Sequence, residues 1–146
     1  MTSGPSTVID RKLQALKTRL EFLRARGNMG QDAFLDDETT QMAVELAFQH
    51  AIEACLDISR QILMQAGASM PDRNRDLFAA AAALGAVPRE LVDRMARMVG
   101  FRNILVHEYE TIDAAQVYRA LTTGLGDLDA FAAAVVDHLR RCEPEP

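Results

Sequence analysis

Thr39 to Gly67 reads TTQMAVELAFQHAIEACLDISRQILMQAG, and the folding of this stretch decides the folding of the chain. Apolar residues recur at Met42, Leu46, Ile52, Leu56 and Ile62 with helical spacing, and the run is too long for a strand. Thr39 or a nearby acidic residue can cap its start, and Gly67 can end it. It is therefore a long amphipathic helix, the longest and most apolar in the chain. Such a helix needs neighbours to cover its apolar side.

The neighbours are legible on both sides. Upstream, Ser6 or Thr7 can cap a helix with apolar residues at Val8, Ile9, Leu13, Leu16, Leu20 and Leu23, ending near Gly27. The intervening GNMGQDAFLDDETT is turn-rich and acidic. Downstream, ASMPDR makes a connection, Asp76 to Leu84 forms a short alanine-rich helix stopped by Gly85, and Pro88 suits the first turn of the next helix. That helix carries Leu91, Val92, Met95, Val99 and Leu105 on into RNILVHEY. Asp113 caps a last helix from Ala114 to about Arg141, which Gly124 and Gly126 can bend. The expected fold is all-α, an antiparallel bundle of four to five helices in one domain spanning residues 1–146, with 1–6 and 142–146 frayed.

Composition agrees. Of the 146 residues 49% are apolar and few are aromatic, which favours helices over sheet, and a chain of this length buries about 70% of its unfolded surface without staples. Cys55 and Cys142 lack the spacing of a metal pair and are expected as free thiols in a reducing compartment. The longest nearly apolar run, Leu77 to Val87, is about half of a bilayer span. With no leader pattern either, the expectation is a soluble, cytoplasmic protein without membrane contact. The net charge of −5 argues against broad nonspecific binding of nucleic acid. It is uneven: six basic residues against Asp10 and Glu21 give residues 1–26 a net +4, so the remainder carries −9. A solvated helix face accounts for the basic segment, and contact with RNA or an acidic partner is the alternative.

Residues 102–109, RNILVHEY, break the apolar pattern with polar groups that a packing helix would not need. At 100° per residue Arg102 and His107 lie about 140° apart, so one straight helix does not aim both at one point. Either the helix ends between them, or His107 of one copy faces Arg102 of another. An Arg and a His without metal ligands suit phosphodiester chemistry. The guanidinium can hold the charge of a five-coordinate phosphorus, and the imidazole can take a proton from a ribose 2′-OH or give one to the 5′-oxygen. That route needs a base and an acid, and a dimer offers two histidines.

Three segments resemble the HepT family of the HEPN superfamily: AIEACLDI at 51–58, PRELVDRMARMVGFRNILVHEYETID at 88–113, and VYRAL followed by LGDLDAF. The R-x4-H-x-Y motif of that family falls on Arg102, His107 and Tyr109 without gaps. The resemblance implies an all-helical homodimer that is a metal-independent endoribonuclease toxin, requiring no cofactor and neutralised by a minimal nucleotidyltransferase antitoxin. It implies catalytic roles for Arg102 and His107 and makes Tyr109 the hydroxyl that receives AMP from ATP. Asn103, a polar residue common at this place in the superfamily, is expected to orient phosphate or His107. The alternative is a non-catalytic helical partner subunit of a nucleotidyltransferase.

Glu53 and Asp57 stand four apart on one face of the long helix, so either could hold Arg102 or tune His107, or both could be a solvated pair. His50 and His138 have no companions at metal spacing, and no metal site is expected. The methionines are expected as core filler. Gly85, Gly100, Gly124 and Gly126 form no phosphate-binding loop after a strand.

Overall fold

The computed structural model describes residues 5–142, and among these it contains seven α-helices and no strand. Residues 1–4 and 143–146, most of the two ends expected to fray, lie outside the described residues. The helices are α1 (Pro5–Arg26), α2 (Gln31–Leu35), α3 (Glu38–Gln65), α4 (Leu77–Ala83), α5 (Arg89–His107), α6 (Ala114–Thr123) and α7 (Leu125–Cys142). Single 3₁₀ turns precede α4 at Asn74–Asp76 and follow α5 at Tyr109–Thr111.

The long helix is α3, and its ends are set by local chemistry. Its cap is Asp37, not Thr39: the carboxylate accepts from Thr40 N at 3.0 Å and from Thr40 Oγ1 at 2.7 Å. Those bonds, the backbone one first, hold the Asp37 carboxyl below the usual range. Gly67 ends α3 with φ +66, Gly67 N donating to Met64 O and Ala68 N to Leu63 O. Gly85 repeats the device after α4 with φ +82. Both are left-handed caps that close the last carbonyls of a helix, a conformation that costs glycine least. Asp113 caps α6, accepting from Ala115 N at 3.0 Å.

The core runs along α3, where Val44, Phe48, Ile52, Leu56, Ile58 and Leu63 are buried. Against it lie Ile9, Leu16, Leu20 and Leu23 of α1, Leu91, Met95, Val99 and Leu105 of α5, and Phe131 and Val135 of α7. Ion pairing of Lys12 with Asp57, and the Arg19 to His50 bond, show α1 running antiparallel to α3. Phe48 meets Phe101 edge-on at 5.3 Å, and this contact seats α5 on α3 just before Arg102. Among the described residues no helix is long and apolar enough to cross a membrane.

Several expectations need correction. Met42 and Leu46 are 65% and 51% exposed, because they stand about 160° around α3 from Val44, on the side away from the core. Met64 and Met70 are also exposed, so only some methionines fill the core. The acidic GNMGQDAFLDDETT segment is not all turn: α2 forms inside it and buries Phe34 against the Tyr118 ring. The final helix is two helices, parted at Gly124. There a Cβ would stand 2.8 Å from Ala120 O and 2.9 Å from Met98 Cε, so this close approach requires glycine. Helix α1 starts at Pro5, upstream of the expected Ser6 or Thr7 cap.

Phe48→Ala should lower stability by about 3–5 kcal/mol, the usual cost of emptying a buried aromatic site. A urea midpoint within error of the wild type would show that α5 is not seated by this contact.

Candidate active site

Helix α5 is continuous from Arg89 to His107, so it does not end between Arg102 and His107. Of the two arrangements open in the sequence, the one requiring a break inside the helix is removed. Arg102 points back onto the bundle. Its Nη2 pairs with Glu53 Oε1 on α3, and its Nη1 donates to Asn103 Oδ1 at 2.9 Å. The side chain is one-fifth exposed, and its Nε is buried without a hydrogen-bond partner among the described residues. Glu53 and Asn103 therefore each engage one terminal nitrogen of the guanidinium and fix its orientation.

His107 is the last residue of α5 and is exposed. Glu108 N bonds back to Ile104 O, and the chain then enters the 3₁₀ turn that carries Tyr109. Tyr109 is 67% exposed with no hydrogen bond to its hydroxyl among the described residues. Beneath it lies a groove of about 700 Å³ lined by Met42, Leu46, Leu105 and Ile112, with Glu38 and Glu45 at its edge. Burial lifts the Glu45 carboxyl above the usual range. The other tyrosine, Tyr118, is committed elsewhere, its hydroxyl donating to Met29 O at 3.1 Å.

The two acidic candidates on α3 separate. Glu53 meets Arg102, whereas Asp57, one turn on, is taken by Lys12 at 3.2 Å and Arg60 at 2.9 Å. Asp57 does not reach the site, because Lys12 on α1 and Arg60 on its own helix lie closer. His50 accepts from Arg19, and His138 lies 3.7 Å from Cys142 Sγ. Burial and the nearby Arg141 lower the His138 pKa. Among the described residues no group of three or more His, Cys, Asp or Glu side chains is placed to hold a metal ion. The bond from Arg102 to Asn103 is not readable from spacing, since neighbours in a helix usually diverge.

A helical bundle that presents arginine, histidine and tyrosine around one helix end has a class among known proteins. The model of ribonucleases described as HepT-like matches residues 14–135, and the chain belongs to that family of RNA-cleaving proteins. It is 35% identical over 98 residues to the mRNA nuclease HepT of Shewanella oneidensis, covering 67% of this chain and 74% of that one. It is 27% identical over 145 residues to the tRNA nuclease HepT of Aphanizomenon flos-aquae, covering 99% of each. Its fold matches a chain in the structure of the tri-AMPylated Shewanella oneidensis HEPN toxin in complex with MNT antitoxin, with a TM-score of 0.81, 28% identity, and 89% and 97% of the two chains covered.

The split between the two carboxylates is measurable. Glu53→Ala strands a mostly buried guanidinium and should cost about 1–2 kcal/mol, discounted because the carboxylate itself is partly exposed. Asp57→Ala removes two half-exposed pairs whose cations can both turn to solvent, and should cost about 1 kcal/mol or less. Equal shifts in urea midpoint would contradict the unequal roles.

Proposed function

We propose that the chain acts as a symmetric dimer in which Arg102 and His107 cleave RNA, and that a nucleotidyltransferase silences it by modifying Tyr109. The observation that supports this most is the unbroken α5, which keeps Arg102 and His107 on different faces of one copy. A second copy supplies the missing angle and a second imidazole.

The chemistry then balances. One His107 takes the proton of the ribose 2′-OH, and the oxygen attacks the adjacent phosphorus. The bond from phosphorus to the 5′-oxygen breaks, and the other His107 protonates the leaving oxygen, leaving a 2′,3′-cyclic phosphate. Arg102, oriented by Glu53, holds the charge that builds on the phosphoryl oxygens. Asn103 positions Arg102 or the phosphate. No step draws on a metal ion or cofactor, and the RNA met is that of the cytoplasm.

Regulation follows from exposure. For AMP transfer the Tyr109 oxygen attacks the α-phosphorus of ATP, pyrophosphate leaves and the phenolic proton is lost. The product places bulk and negative charge two residues from His107, where RNA phosphate must lie. Tyr118 is a poor acceptor because its hydroxyl is engaged with Met29 O.

His107→Ala and Arg102→Ala should each lower RNA cleavage by about 10²–10⁴, while Tyr109→Phe stays active. Cleavage should continue in chelator and fail on a substrate with 2′-deoxyribose at the scissile position. Co-expressed with the cognate nucleotidyltransferase, the wild type should gain the mass of AMP and the Tyr109→Phe variant should not. Full activity in His107→Ala would remove His107 from the mechanism, and a wild-type chain that cleaves no RNA would leave the protein a helical partner subunit without catalysis. An inactive Tyr109→Phe would move Tyr109 into the catalytic group.

A further inference from the structure

The proposed cleavage chemistry sits at the tip of α5, and most of the surface behind that tip has no role in it. Between the Asn74–Asp76 turn and the outer face of α5 runs an open groove of about 920 Å³, with Arg73, Arg75, Arg97, Gly100, Asn103 and Gln116 on its walls. Three arginines converge on it in a chain whose net charge is −5. Asp93 is the acidic residue in its lining, and Arg73 is drawn aside to Asp76 at 3.1 Å. Arg75 and Arg97 are exposed and form no ion pair among the described residues. Like charges gathered on facing walls repel one another, so the arrangement is stabilised when an anion lies between them.

A second observation is independent of charge. Gly100 lies inside α5, where glycine is less stable than alanine, yet a Cβ there would meet nothing within 4 Å. The packing of the chain does not require it. It leaves bare backbone facing the groove between Arg97 and Asn103, the condition for close approach by another molecule. Asn103 adds a donor: with Oδ1 accepting from Arg102, its amide NH₂ remains to give hydrogen bonds. Arg97, Gly100, Ile104 and His107 recur at helical spacing along one face, and the path from Arg97 to His107 is about 15 Å.

We infer that this groove carries the RNA strand to the cleavage site, with Arg75 and Arg97 gripping backbone phosphates from opposite walls and Gly100 letting the strand lie against α5. The inference rests on the ribonuclease reading of Arg102 and His107, and it adds the side from which substrate arrives. Arginine suits the grip because its fork pairs with phosphate oxygens through two bonds. Contacts of this kind read no sequence, so they set affinity and direction, not base preference.

The test is binding of a fluorescent single-stranded RNA of mixed sequence, about 20 nucleotides long, to the full-length His107→Ala chain across a salt series. Adding Arg75→Ala and Arg97→Ala should weaken binding about tenfold or more. It should also flatten the plot of log affinity against log salt by about 0.7 for each phosphate no longer gripped, about 1.4 in all. In the active chain the same pair should raise KM for that RNA and leave turnover of a dinucleotide unchanged. Gly100→Leu should keep or raise the melting temperature while weakening RNA binding. An unchanged salt slope in the double variant overturns the inference. So does Gly100→Leu converting a dimer to a monomer, since the groove would then be an interface between copies. If the wild type cleaves no RNA but the slope still flattens by the full amount, the groove stands and the ribonuclease reading fails. If RNA is cleaved and the slope does not move, the ribonuclease reading stands and the groove falls.

Discussion

An α-helix turns 100° per residue, and α5 does not break between Arg102 and His107. The chemistry of the site depends on that constraint. Arg102 is turned inward against α3, fixed by Glu53 there and by Asn103 beside it on α5, while His107 reaches solvent at the helix tip. An arginine held this way loses little freedom when it meets phosphate, which is the advantage of a clamped fork over a free one. A histidine that is to move a proton, as proposed for His107, needs the opposite treatment, an exposed position from which the proton can come and go. One unbroken helix provides both environments and, by the same geometry, keeps them apart.

The bundle makes that helix rigid enough to matter. Edge-on packing of Phe48 on Phe101 seats α5 on α3, and Leu105 is buried between the two site residues. Gly124 brings the end of α6 close to Met98, so α5 is also held from its other side. Beyond Leu105 support ends. Residues 106 to 111 are all exposed, and Tyr109 stands over a groove whose apolar floor includes Met42 and Leu46. The well-packed half of the helix holds Arg102, and the sparsely packed tip leads into the turn that carries Tyr109, the acceptor proposed above.

Much of this is legible in the residues. Gly67, Gly85 and Asp113 mark helix ends in the sequence and in the fold alike, because caps act through local backbone chemistry that spacing reveals. The R-x4-H-x-Y spacing marks α5 as the helix of interest. Other features depend on tertiary choices. Met42 and Leu46 look like core when apolar residues are read by spacing alone, and only the position of α1 and α5 around α3 decides that they face out. Glu53 and Asp57 are equivalent on a helical wheel, yet Lys12 and Arg60 claim one and Arg102 the other. The groove behind α5 joins Arg75 to Arg97 across separate elements, and its signal in sequence is only the DRNRD cluster at 72–76.

The central claim is that one chain cannot complete the site alone. The direct measurement is RNA cleavage per chain over a dilution series, with the mass in solution followed by light scattering at each concentration. The account predicts about twice the 16.1 kDa of one chain at micromolar concentration, and cleavage that falls away in step with dissociation. A 16.1 kDa species cleaving RNA undiminished would contradict it.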